Sequence, residues 1–126
     1  MDHNNVRVRL VSRRLPGHTV IAVRGDLDIA TTATVRDRIL TLLEDTTTPL
    51  VIDLSGVSFC DASGLAMLVG TKRRAGSQGL TVSLVAPCPT VRKLLRITGL
   101  DRAFAIHPTL ASAQVGRAQP DHISAA

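Results

Sequence analysis

The residues with the most chemistry per position lie in one short stretch, Asp61-Ala62-Ser63-Gly64-Leu65. A carboxylate, a hydroxyl and a glycine in this order are the composition of a helix start, where free amides need oxygen acceptors. Ser63 is expected to be the N-cap there, worth about 1 kcal/mol. Its other chemistry is esterification by phosphate. A phosphate would add about −1.5 to −2 charges, could use the exposed amides of the helix start, and would repel Asp61. A surface centred on this turn would change sign locally, a switch that needs no catalysis by this chain. Asp26 and Asp28 stand before an earlier helix, where they either cap its positive end or rim a site at the ends of the strands.

Other chemistries find no support. Gly56 to Gly64 lacks the Gly-Lys-Ser/Thr ending of a phosphate-cradling loop, and no strand is followed by G-x-G-x-x-G. Asp61-Ala-Ser-Gly-Leu does not fit the G-x-S-x-G hydrolase elbow, and His107 is the one candidate base, so no catalytic residues are expected. Cys60 and Cys88 are too few for a zinc site and form no C-x-x-C, so no metal is expected. Both follow strands and read as reduced structural thiols, with a regulatory disulfide as the alternative. His18, at a turn with no partner nearby in sequence, reads as solvated.

These residues must be placed by the elements around them. Val6 to Ser12 alternates as a half-exposed strand, Leu15-Pro-Gly-His turns the chain, and Thr19 to Arg24 returns as its hairpin partner. Thr31 or Thr32 is the candidate cap of a first helix that buries Val35, Ile39 and Leu42. Pro49 closes the break before Leu50–Leu54, an apolar run of the kind buried on both faces of a parallel sheet. A second helix from Ser63 to about Ala75 packs Leu65, Leu68 and Val69 inward, with Ala66 and Gly70 permitting close approach. Leu80–Ala86 is the next strand, and Thr90 the expected cap of a third helix with Val91, Leu94, Leu95 and Thr98 on one face, ended by Gly99. Phe104–Ile106 reads as a last strand and Leu110–Val115 as a last helix. The order ββαβαβαβα predicts an α/β fold: one domain over 6–115 with a mixed, mostly parallel sheet, right-handed crossovers and an antiparallel first strand. Residues 1–5 and 116–126 are expected to be disordered. Ligands or partners would meet the loops at the strands' carboxyl ends, Gly25–Ala30, Ser55–Gly64, Ala86–Thr90 and His107–Thr109.

Composition narrows the partners. The net charge of +5 permits acidic partners. Phe59 and Phe104 are the only aromatic residues, which disfavours a binder that stacks nucleic-acid bases. No apolar run reaches the roughly 18–20 residues that span a bilayer, and the polar start Met1-Asp-His-Asn-Asn leads into a strand, so a cytoplasmic location without membrane contact is expected.

The combination Gly25-Asp-Leu-Asp, Val51-Ile-Asp-Leu-Ser-Gly-Val-Ser-Phe and Asp61-Ala-Ser-Gly-Leu resembles the STAS domains of bacterial anti-sigma factor antagonists, over about residues 6–115. The resemblance implies a partner-switching protein and not an enzyme. Such a domain binds an anti-sigma factor, a serine-protein kinase of the histidine-kinase-like ATPase type, and so frees the sigma factor. The kinase phosphorylates a serine in the turn, which ends binding, and a serine phosphatase restores it. ATP belongs to the kinase, so this domain needs no cofactor. The resemblance places the partner surface at Asp26, Asp28, Asp61, Ala62, Ser63, Gly64 and Leu65. The family pattern is usually Asp-Ser-Ser/Thr-Gly-Leu with the first hydroxyl as acceptor, a position held here by Ala62. Either Ser63 takes the phosphate, one residue along, or the domain binds without this switch. Two readings from other classes remain: a nucleic-acid or anion module using Arg73, Arg74, Arg92 and Arg96, and a lipid or small-molecule carrier.

Overall fold

The computed structural model describes residues 7–113. Strands β1 (Val8–Leu15) and β2 (His18–Gly25) form an antiparallel hairpin around Pro16-Gly17, with Gly17 at φ 83°. This loop is tighter than the sequence predicts. With a two-residue connection, Leu15 already pairs His18, so β1 extends beyond Ser12. Val6, expected to open the strand, lies outside the described residues. His18 is therefore a strand residue and not a solvated turn residue. It is only 6% exposed, and its Nε2 has no hydrogen-bond partner among the described residues.

Strands β3 (Leu50–Gly56), β4 (Val82–Val85) and β5 (Ala105–His107) follow in parallel to β2, giving the sheet order β1-β2-β3-β4-β5. Helices α1 (Thr32–Glu44), α2 (Ala62–Ser77), α3 (Pro89–Ile97) and α4 (Leu100–Ala103) lie in the connections. Because the strand order never reverses, successive right-handed crossovers fall on one face of the sheet. That face carries the main core: Ile21, Ile52 and Leu84 from the strands meet Ile39, Leu68 and Leu95 from the helices. Neighbouring strand residues point the other way. Val20, Val51 and Val85 form a smaller cluster with Ala113, against which Leu15 and Leu110 pack. The chain is helical again over 110–113, where the described residues end; Gln114 and Val115, expected in this helix, and the expected tails at 1–5 and 116–126 lie outside them.

Several boundaries depart from expectation for local reasons. Leu43, not Leu42, completes the buried stripe of α1 with Val35 and Ile39. In α2 the inward residues are Leu65, Met67, Leu68, Thr71 and Ala75, whereas Val69 is half-buried and Gly70 exposed. Helix α2 ends in a Schellman motif: Gly79, at φ 78°, donates to Gly76 O, and Leu80 donates to Ala75 O. This cap holds Leu80, so β4 is shorter than Leu80–Ala86. Helix α3 starts at Pro89, whose fixed φ suits the first turn, which makes Cys88 and not Thr90 the N-cap. Gly99 (φ 79°) ends α3 as expected, but the chain then makes the short α4 before β5.

Candidate functional site

The loop after β2 and the loop after β3 are stitched together. One extra residue in β3, between the pairs Ala22↔Asp53 and Arg24↔Gly56, shifts the register at the carboxyl ends. Pairing then resumes as a single parallel bridge between Leu27 and Cys60. Leu27 N–H donates to Phe59 O at 2.9 Å, and Asp61 N–H donates to Leu27 O at 3.0 Å. Leu27 and Cys60 are buried, so this bridge anchors both loops in the core. The two acidic motifs, more than thirty positions apart in sequence, thus share one rim.

At the start of α2 the N-cap is Asp61, not Ser63. Asp61 has the extended backbone of a cap (φ −107°, ψ −170°), and its Oδ1 accepts from Ser63 N–H at 2.9 Å and Gly64 N–H at 3.3 Å. Ser63 is already inside the first turn, and its hydroxyl donates to the same oxygen at 2.5 Å. Both Asp and Ser are good N-caps, and here the backbone angles select the former. The hydroxyl of Ser63, with the backbone amides of Gly64, Ser63 and Ile29, holds the Asp61 carboxyl below the usual carboxylate range. The turn therefore presents a persistent carboxylate. Ala62, one residue on, points a bare methyl at solvent.

Gly64 is required by close approach. A Cβ on it would stand 2.7 Å from Cys60 Sγ and 2.8 Å from Leu27 Cβ. Expected close approach at Gly70 is not found, since a Cβ there would meet nothing within 4 Å. Cys60 lies under the turn, and burial, with the neighbouring Asp61 charge, pushes its thiol up to about 11. Cys60 and Cys88 are both free thiols. Leu65 faces the core.

Asp28 organises the other loop. Its Oδ1 accepts from Ala30 N–H at 2.9 Å and Thr31 N–H at 3.1 Å, and its Oδ2 pairs with Arg7 at 2.9 Å. Thr31 occupies the N-cap position of α1 but makes no side-chain cap; its hydroxyl donates to Asp26 O at 2.6 Å. Asp26 faces Ser58, whose hydroxyl is 3.5 Å from its Oδ1. Of the seven residues expected at a partner surface, Asp26, Asp28, Asp61, Ala62 and Ser63 meet at this rim, while Gly64 and Leu65 support it from below. Sequence patterning missed Ile29, 82% exposed, and Phe59, 48% exposed, one in each of the stitched loops. The signal available was Phe59, one of only two aromatic residues, standing in a loop and not in a strand.

Among the described residues no cluster of His, Cys, Asp and Glu could hold a metal, and no helix is long and apolar enough to cross a membrane.

The STAS domain family model matches residues 9–113. The chain belongs to the STAS family. An anti-sigma-F factor antagonist of Mycobacterium tuberculosis, RsfB, is 34% identical over 100 residues, which cover 79% of this chain and 81% of that protein. A second from the same organism, RsfA, is 30% identical over 75% of each chain. Among solved structures, an anti-sigma factor antagonist from Mycobacterium paratuberculosis superposes with a TM-score of 0.80 at 31% identity, covering 86% of this STAS chain and 92% of the other. Unphosphorylated SpoIIAA shares the fold, with a TM-score of 0.72 at 24% identity over 89% and 97% of the two chains.

Proposed function

We propose that this STAS protein is an anti-sigma factor antagonist. It docks on a serine-kinase anti-sigma factor of the histidine-kinase-like ATPase type through the rim of the two stitched loops, and so frees the sigma factor. The observation that carries this reading is the rim itself: the Asp61 carboxylate and the Ala62 methyl beside two exposed apolar residues, Ile29 and Phe59. A sheet whose strand order does not reverse has no switch-point crevice at its carboxyl end. What stands there is a pair of stitched loops with exposed apolar side chains, suited to a protein face. Exposed apolar and aromatic side chains such as Phe59 suit the centre of an interface, and a fixed charge beside them sets register and partner choice.

The same geometry supports binding that phosphorylation of this turn does not interrupt. The exposed position next to the cap carries Ala62, which has no oxygen to phosphorylate. The neighbouring hydroxyl, on Ser63, is already bonded to Asp61. A phosphate on Ser63 would press about −1.5 to −2 charges against the carboxylate that caps the helix. A serine phosphatase then has no substrate in this turn.

The test is a pull-down with the organism's anti-sigma kinases, using the wild type and Asp61→Asn, which keeps the cap and removes the charge. Retention of one kinase by the wild type and its loss with Asp61→Asn is expected. Retention of none, or equal retention by both, rejects the reading. Incubation of the retained kinase with ATP, followed by tandem mass spectrometry, should leave Ser63 unmodified; phosphate on Ser63 would establish a displaced switch instead.

A further inference from the structure

A second feature of the helix layer lies outside the rim. Helices α1 and α2 leave a cleft of about 430 Å³ between them. Its apolar part is formed by Leu40 of α1 and Ala66, Met67 and Gly70 of α2. Arg36 and Arg74, one from each helix and both exposed, flank it. Ser63 lines its end, so the cleft continues from the turn at the start of α2.

The fold does not need this cleft. Gly70 is helical and exposed, and a side chain there would meet nothing within 4 Å. Gly in a helix interior costs roughly 0.5–1 kcal/mol relative to Ala, so its presence keeps the cleft open at the helix's expense. The arginines are also uncommitted to each other's helix. Arg36 reaches only the adjacent Asp37, at 3.5 Å and with both side chains exposed, and Arg74 makes no ion pair among the described residues.

We propose that this cleft receives an acidic amphipathic helix of the anti-sigma partner. An apolar side chain of that helix fills the space over Met67 and Gly70, and its carboxylate sits between Arg36 and Arg74. Small residues one turn apart on α2 let a second helix approach closely, and an apolar floor with cationic edges selects an acidic amphipathic face. The occupant is the same partner that meets the rim, because Ser63 belongs to both surfaces. The two ends also carry opposite signs, with Asp26 and Asp61 at the rim and Arg36 and Arg74 along the cleft. That polarity fixes which way the partner lies and rejects the reversed orientation.

The inference rests on the proposed function, and calorimetric titration of the kinase retained in the pull-down separates the two. Gly70→Leu fills the cleft without touching the fold, and Gly76→Leu adds the same side chain to α2 where a Cβ also meets nothing within 4 Å. Gly70→Leu and Arg74→Glu should each weaken binding at least tenfold while Gly76→Leu binds as the wild type. Wild-type affinity in Gly70→Leu and Arg74→Glu, with binding still lost in Asp61→Asn, overturns the cleft and leaves the rim standing. Equal weakening by Gly70→Leu and Gly76→Leu also overturns it. If no kinase binds the wild type, both proposals fall.

Discussion

Ser63 Oγ donates to Asp61 Oδ1 at 2.5 Å, inside the first turn of the helix that the same carboxylate caps. The serine thus supports the aspartate, which takes the cap position expected of Ser63. Ser63→Ala should leave both backbone amides on Asp61 and remove the hydroxyl, the largest cause of its lowered titration. The expected outcome is an upward move of the Asp61 carboxyl resonance midpoint in an NMR pH titration, with a small loss of thermal stability. Binding of the proposed kinase partner should survive at neutral pH, because the carboxylate remains ionised there.

Acid dependence follows with a definite sign. The Asp61 carboxyl titrates lower in the folded chain than in the unfolded one. Its contribution to stability is therefore complete above the ordinary aspartate value of about 3.9 and is lost as pH falls through the lower folded value. Asp61→Asn should flatten this part of the acid limb, since the amide still caps but does not titrate. Urea midpoints measured from pH 6 down to pH 2.5 should converge for the two proteins at the acid end; curves that stay parallel would exclude the linkage.

The buried thiol gives a chemical readout of the same turn. With its value pushed to about 11 by burial and the Asp61 charge, Cys60 holds on the order of 10⁻³ thiolate at pH 8. Iodoacetamide should modify the half-buried Cys88 first and reach Cys60 only on local opening. The raised value also makes stability fall as pH climbs above the ordinary thiol value, because the unfolded chain releases its proton first. Peptide mapping after timed alkylation checks the order; equal rates would mean that Leu27 and Gly64 do not seal Cys60.

Much of this was legible in the chain. Alternation of apolar strands with helical periods yields the parallel sheet, and Asp61-Ala-Ser-Gly-Leu marks the turn that the fold places at its rim. What escaped depends on three-dimensional placement. The exposure of Ile29 and Phe59 leaves no periodic trace, because a loop has no repeat to break. Composition cannot choose between Asp61 and Ser63 as cap, since both types suit the position. The burial of His18 follows from a two-residue hairpin loop, which makes it the first residue of a strand whose start is buried on both faces.

Gly64 and Gly70 of α2 were also inseparable by sequence, and they make opposite predictions. Gly64 lies where a Cβ would come within 2.9 Å of the Leu27 carbonyl oxygen as well as the Cys60 sulfur, and neither can swing away. Gly64→Ala must push α2 off the Leu27–Cys60 bridge, at a cost of about 1–3 kcal/mol. Gly70→Ala enters open space and gains helix propensity, so it should stabilise the protein by roughly 0.5–1 kcal/mol. Chemical denaturation of both variants against the wild type measures the pair. Because the Leu27–Cys60 bridge joins the two loops, Gly64→Ala should also weaken binding of the proposed kinase partner, whereas Gly70→Ala, whose single methyl leaves most of the cleft open, should bind within about threefold of the wild type. A Gly64→Ala variant as stable as the wild type would mean that the bridge yields freely and does not hold the rim together.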